Sequence, residues 1–276
     1  MHFPGIAVLA LLLYLAAAAG LTLRLLGKGP GFMRERRGFA ASSALAAAAL
    51  HSIALYALVF IPAGMDLGLL NALALTGWLM ALIALAAAAR PAFGGLGIVL
   101  YPLAGLSLAV AEYFPGDVLL VPSRGWPLDT HILVSLVAYS LLGVAALQAI
   151  VLALQEHRLR HGNAGGILGA LPPLQEMESF LFQLIAAGFA LLTLALFTGL
   201  IFVHDFMAQH LVHKAVLSAL AWAVFAVLLW GRWKSGWRGR TAIRWTLVGF
   251  AVLMLAYFGS KLVLEGILHR HWGLMQ

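Results

Sequence analysis

The chain has no cysteine among its 276 residues. That absence excludes disulfides, thiolate metal sites and thiol exchange. It also excludes a Cys-x-x-Cys-His attachment site, so the chain is not itself a c-type cytochrome. Charge is nearly as scarce, at 10% of residues against 63% hydrophobic. No phosphate-cradling glycine loop, nucleophile–base pair or carboxylate dyad is visible, which argues against hydrolase and ATPase chemistry.

What fills the chain is apolar sequence in runs long enough to cross a bilayer. Eight spans are expected, roughly at 4–26, 38–61, 66–89, 93–111, 130–155, 179–203, 211–231 and 241–268. The expected fold class is therefore all-α: a polytopic membrane helix bundle of about eight transmembrane helices, forming a single transmembrane domain over 1–276. The net charge of +7 raises nucleic acid as a partner, but the cations gather in alternate connectors: 27–37, Arg90, 156–178 with Arg158 and Arg160, and 232–240 with Arg232, Lys234, Arg238 and Arg240. That alternation marks topology, with the lipid bilayer as the partner and no nucleic acid. The other connectors carry Asp66; Glu112, Asp117, Arg124 and Asp129; and His204 with Asp205. Both termini are expected outside. The apolar run His2–Leu26 lacks a basic leader and is followed by its charges, so it reads as a retained helix rather than a signal peptide.

Small residues dominate the second span (Ala40-Ala41-Ser42-Ser43-Ala44 onward), which suits a helix inside the bundle. Pro102 is expected to bend the fourth span. The external connector from Glu112 to Asp129 holds Pro115, Gly116, Pro122, Gly125 and Pro127, a content that argues against helix, while Tyr113, Phe114 and Trp126 suit a membrane interface. Glu176 and Glu178 sit at the expected start of span six, where carboxylates favour the helix dipole.

The ten histidines sort by depth. His157 and His161 lie four apart at a solvated helix end, and His2 and His271 are terminal. The other six approach the outer half of the bundle from five helices: His51 within span two, His131 opening span five, His204 closing span six, His210 and His213 opening span seven, and His269 ending span eight. Polar groups in a bilayer are costly unless paired or hydrated. Neutral imidazole ligates zinc, copper or haem iron. His204, Asp205, His210 and His213 could supply a four-ligand metal site. Two imidazoles on facing walls of an aromatic slot, for which Trp126, Phe202, Phe206, Trp222 and Trp230 are candidates, would instead suit haem. Lys261 and Glu265, four apart in span eight, read as a mutually neutralising pair.

His131-Ile132-Leu133-Val134-Ser135-Leu136-Val137-Ala138-Tyr139-Ser140 resembles the His-led helix of the haem-handling proteins of cytochrome c assembly, the CcsA branch. The resemblance continues through Gly188-Phe189, Leu196-Phe197-Thr198-Gly199, Lys214, Trp222, Gly236-Trp237-Arg238-Gly239-Arg240, Ala256-Tyr257-Phe258-Gly259 and Gly266-Ile267-Leu268-His269. It covers residues 130–269, is looser over 1–111, and is greatest toward the shorter HemX- and YpjD-like inner-membrane subgroup. It implies a non-covalent b-type haem held axially at the outer face by His131 and His269, with His51, His204, His210 and His213 as alternative ligands or hydrogen-bond partners. Two departures stand out. The family's Trp-rich segment ending in Trp-Asp-Pro-Lys-Glu is replaced by 206–214, which has no Trp, and the family's intramembrane His falls at Trp230.

The resemblance therefore points to a handling or accessory protein of cytochrome c assembly or haem homeostasis in the bacterial inner membrane, not to an enzyme. Two rival readings are an accessory subunit with a degenerate haem site, acting through a partner protein, and a His-lined channel or transporter for divalent metal or protons. The missing cysteines make the topology easy to test. A Gly116→Cys chain is expected to react with a membrane-impermeant maleimide in intact cells, and a Gly162→Cys chain only after permeabilisation. The reverse pattern would invert the topology.

Overall fold

The computed structural model describes residues 3–28, 38–62, 64–88, 95–114, 116, 118, 120–121, 126–162, 165–202 and 209–259, with backbone alone at 120–121, 202, 209–213 and 258–259. Eight of its helices are long and apolar enough to cross a membrane. They are α1 (Pro4–Leu25), α2 (Gly38–Val59), α3 (Leu69–Ala87), α4 (Leu96–Tyr113), α5 (Trp126–Arg160), α7 (Leu174–Phe202), α8 (Gln209–Ser235) and α9 (Gly239–Met254). The short α6 (Gly166–Gly169) lies between α5 and α7, and a π-helical turn, Leu255–Gly259, continues α9. The expected all-α, polytopic architecture is what is found.

The helices fall into two compact units: Met1–Val121 with Leu154–Phe180, and Pro122–Ala153 with Leu181–Gln276. In the first unit, α4 packs against both α1 and α3, and α1 against α2. Helix α1 starts with Pro at its first position, where the missing N–H would be unpaired in any case. It ends at Gly27 (φ 63°), whose left-handed conformation lets Lys28 N–H reach the Leu23 carbonyl at 2.9 Å, so the last turn's carbonyls are satisfied. The expectation that α2 lies inside the bundle holds for one face only. Ala44, Ala47, Ala48, His51, Ala54 and Leu55 are buried at helical spacing, while Leu45, Ile53 and Tyr56 are exposed. Small residues allow close approach on the packed side, and bulky apolar ones on the other suit lipid.

Two features depart from the sequence reading. Helix α5 begins at Trp126, four residues before the expected start. Pro127 is no obstacle in a first turn, because the N–H it lacks has no intrahelical acceptor there. The second departure is a small antiparallel sheet, β1 (Phe60–Ile61), β2 (Gly64–Asp66) and β3 (Leu120–Val121), in that order. Met65 pairs with both Phe60 and Val121, so the connector after α4 is tied to the one between α2 and α3. Asp66 then fixes the start of α3. One of its carboxylate oxygens accepts from Gly68 N–H at 2.9 Å and the other from Asn71 Nδ2 at 3.0 Å.

In the second unit, α5 and α7 run antiparallel in close register. His131 meets Gly199 and Leu142 meets Gly188, eleven residues along each helix in opposite directions, or about 16 Å at 1.5 Å per residue. A Cβ at Gly188 would lie 2.7 Å from both Cγ and Cδ2 of Leu142. At the far end of α8, the Trp237 ring occupies the space that a Gly231 side chain would need. There Arg232 lies over the Phe182 ring at 4.5 Å and donates to the Trp237 carbonyl at 3.2 Å.

The Gly188 contact gives a stability test. Gly188→Ala is expected to cost about 1–3 kcal/mol by overpacking, read as a lower unfolding temperature in detergent. In a Leu142→Ala background the same substitution should cost much less, because both clashing carbons of Leu142 are gone. An equal cost in the two backgrounds would mean that α5 and α7 do not close here.

Candidate functional site

His131 sits in the second turn of α5, half-buried, and its place follows from the α5–α7 register. Its Nδ1 lies 3.0 Å from the Thr198 hydroxyl. The Thr198 hydroxyl also donates back to its own helix, to the carbonyls of Leu194 at 2.9 Å and Ala195 at 3.1 Å. The Cε1 corner of the ring points at Gly199, where a Cβ would lie 3.0 Å from Cε1. The backbone of Ala195 also lies beside the ring, and among the described residues no side chain bonds Nε2. Ser135, one turn along α5, donates its hydroxyl to the His131 carbonyl at 2.7 Å and so leaves the ring alone.

The helix that carries His131 also carries Tyr139. Its hydroxyl reaches the Leu253 carbonyl at 3.3 Å and Met254 Sδ at 2.9 Å on α9. The Tyr139 ring lies among Phe250 and Tyr257, with centroids 5.7 and 6.0 Å away. Lys214 Nζ stands 5.9 Å from the centre of the Tyr257 ring, so a cation, two phenols and the π-helical turn share one region. Extra turns of this kind recur at functional sites. Trp222 stacks on Phe189 with centroids 5.5 Å apart and donates its indole N–H to Thr193 at 2.8 Å. Of the other aromatic candidates, Trp126 and Trp230 are exposed. Phe206 lies outside the described residues, as does the Phe202 side chain.

His51 belongs to the first unit and is fully buried. Its Nδ1 is 3.4 Å from the Tyr14 hydroxyl on α1, and Tyr14 stacks on Tyr101 of α4 with centroids 5.9 Å apart. Its Nε2 is buried without a partner in hydrogen-bonding geometry, although the backbone of Ala74 on α3 lies beside the ring. Gly97 and Gly105 on α4 leave room for the rings of Tyr101 and Tyr14, respectively. The surroundings of His51 are therefore aromatic and closely filled.

His210 and His213 are in the first two turns of α8, three residues apart, and their side chains lie outside the described residues. His204, Asp205, Lys261, Glu265 and His269 also lie outside them. His157 and His161 are exposed at the end of α5, as expected, with ring centroids 4.3 Å apart and His161 Nδ1 on the His157 carbonyl at 2.8 Å. Among the described residues no group of three or more His, Asp or Glu is arranged to hold a metal ion.

Sequence reasoning did not single out Thr198, Tyr14 or Tyr101. Thr198 appeared only inside a longer resemblance, and the available signal was a hydroxyl beside a glycine at the end of span six. For Tyr14 the signal was a lone phenol in the Leu/Ala-rich run of span one.

A multi-helix chain with imidazoles partnered by hydroxyl groups within its spans belongs to the class of polytopic membrane proteins that carry polar groups on their helices. More narrowly, the chain belongs to the cytochrome c assembly protein family, whose profile matches residues 39–268. It is 35% identical over 262 residues to the inner membrane protein YpjD of Escherichia coli K12, covering 94% of this chain and 98% of that one. It is also similar to the cytochrome c biogenesis protein CcsA of Parasynechococcus marenigrum (26% over 211 residues; 68% and 67% of the two chains) and of Mesostigma viride (24% over 208 residues; 64% and 67%). The match reaches back into α2, so the likeness is not limited to residues 130–269. No solved structure matches the chain.

The Tyr14–His51 contact can be tested alone. Tyr14→Phe keeps the ring stack but strips His51 of its hydroxyl partner, which is expected to cost about 1 kcal/mol, the low end for a long bond. Thermal unfolding in detergent would report it. An unchanged midpoint would show that the contact contributes nothing.

Proposed function

We propose that this chain is a haem-handling protein of the inner membrane, acting in cytochrome c assembly or haem homeostasis and not catalysing the attachment reaction. In this reading a non-covalent b-type haem lies near the outer face. His131 is one axial ligand and His269, at the end of the last span, is the other. His204, His210 and His213 would flank the same unit as alternative ligands or hydrogen-bond partners. His51 would be a separate buried imidazole of the first unit, able to act in its own right only if its surroundings open.

The observation that carries the proposal is the state of His131. Haem iron takes an imidazole nitrogen with a free lone pair, and a ligating His commonly has its other nitrogen held by a hydrogen bond. His131 meets the second condition directly: Nδ1 is engaged by Thr198, the Ala195 backbone lies beside the ring, and Nε2 makes no hydrogen bond to a described side chain. Family membership supplies the biological direction. The relatives' names supply the membrane, since one is called an inner membrane protein and others cytochrome c biogenesis proteins. The altered segment 206–214, which lacks tryptophan, favours handling over attachment.

The purified full-length protein is expected to show a Soret band and the paired visible bands of low-spin b-type haem, with the pigment extractable into acidified organic solvent. His131→Ala is expected to weaken haem binding by at least about tenfold. Protein that shows no Soret band even after haem is supplied would overturn the proposal.

A further inference from the structure

We infer that Thr198 and Gly199 form a seat that fixes the tautomer of His131, so that Nδ1 carries the proton and Nε2 presents its lone pair outward. The inference rests on the reading of His131 as a ligand and adds what makes it competent. A threonine hydroxyl has one proton and two lone pairs. At Thr198 the proton is directed into its own helix, toward the carbonyls of Leu194 and Ala195 at 2.9 and 3.1 Å. The hydroxyl therefore has only a lone pair left for His131, 3.0 Å away. A contact at that distance to an acceptor requires a donor, so the ring's proton is on Nδ1. In a neutral imidazole Nε2 is then unprotonated. Bilayer surroundings reinforce the assignment, because a span offers few other partners for a stray hydroxyl proton.

Gly199 supplies the second half of the seat. Its missing Cβ lets the Cε1 corner of the ring come close to α7, at a distance a methyl group would make too short by a few tenths of an ångström. One residue thus sets the proton and the next sets the position. Thr198 is a positioning residue, since it acts through His131 and touches no ligand itself. Thr130, Ser135 and Tyr139, the other hydroxyl groups on this part of α5, are committed elsewhere, to the Trp126 carbonyl, the His131 carbonyl and α9.

Three variants and one spectroscopic measurement test the seat on the full-length protein in detergent. Thr198→Val keeps the shape and removes the hydroxyl; it is expected to lower haem affinity about 10–100-fold, the range for loss of a partner behind a ligand. Thr198→Ser restores the hydroxyl and is expected to bind as the parent does. Gly199→Ala keeps the hydroxyl but pushes the ring off it, and is expected to weaken binding as well. If Thr198→Val does not fold, the Ser and Ala variants carry the comparison. Nitrogen-15 NMR of the haem-free protein, with the His131 signals assigned by their loss in His131→Ala, should show a protonated Nδ1 and a bare Nε2. In Thr198→Val the proton should move toward Nε2.

Parent-like haem binding by Thr198→Val, in a protein whose His131→Ala variant loses haem, overturns the inference and leaves the ligand reading intact. A parent spectrum with the proton on Nε2 overturns it too. If His131→Ala binds haem normally, the ligand reading falls, and the NMR result alone then decides the tautomer.

Discussion

Lipid offers no hydrogen bonds, so each polar group in a span must find its partner within the protein. That constraint shapes most of what is polar in this structure. Hydroxyls fold back on their own helices: Thr22 onto Ala18, Ser52 onto Ala48, Thr76 onto Ala72, Ser140 onto Leu136 and Thr246 onto Ala242. Once a hydroxyl has spent its proton this way, it can meet a neighbouring helix only as an acceptor. At Thr198 that residual lone pair faces an imidazole, and a rule about solvation becomes a rule about which nitrogen is available.

Close helix approach depends on what is missing from side chains. Gly188 admits Leu142, Gly199 admits the His131 ring, and Gly249 admits Phe225. Dispersion between such surfaces does the work that water exclusion does in a soluble core. The two ends of the α5–α7 contact are linked by geometry: a register that seats Leu142 on Gly188 also seats His131 on Gly199, eleven residues away on both helices. Packing at Gly188 is therefore coupled to the position of His131.

The two described imidazoles are built differently. His131 is half-buried with a firm partner at 3.0 Å, whereas His51 is fully enclosed by aromatic packing with a partner at 3.4 Å. The first geometry suits a ligand that must be oriented and reached. The second suits a polar clamp among α1, α2 and α4, where the stacked Tyr14 and Tyr101 fill the space that glycines on α4 leave open. His131 belongs to the second unit and His51 to the first.

The sequence by itself determined the eight helices, their approximate ends and the family, because apolar run length is a local quantity and family resemblance is carried by residue identity. It also made His131 a candidate, through its place at the head of a span. It determined less at connectors: a Pro- and Gly-rich loop hides a helix start at Trp126, since a first turn tolerates Pro127, and two-residue strands pairing across two loops leave no local pattern to read. Only the tertiary structure decided that Thr198 faces His131 and that Tyr14 faces His51. Those partners lie 67 and 37 residues apart along the chain, and nothing in either helix alone specifies which face will meet the other. Helix register sets that, and register depends on the small-residue contacts that form only when the helices pack.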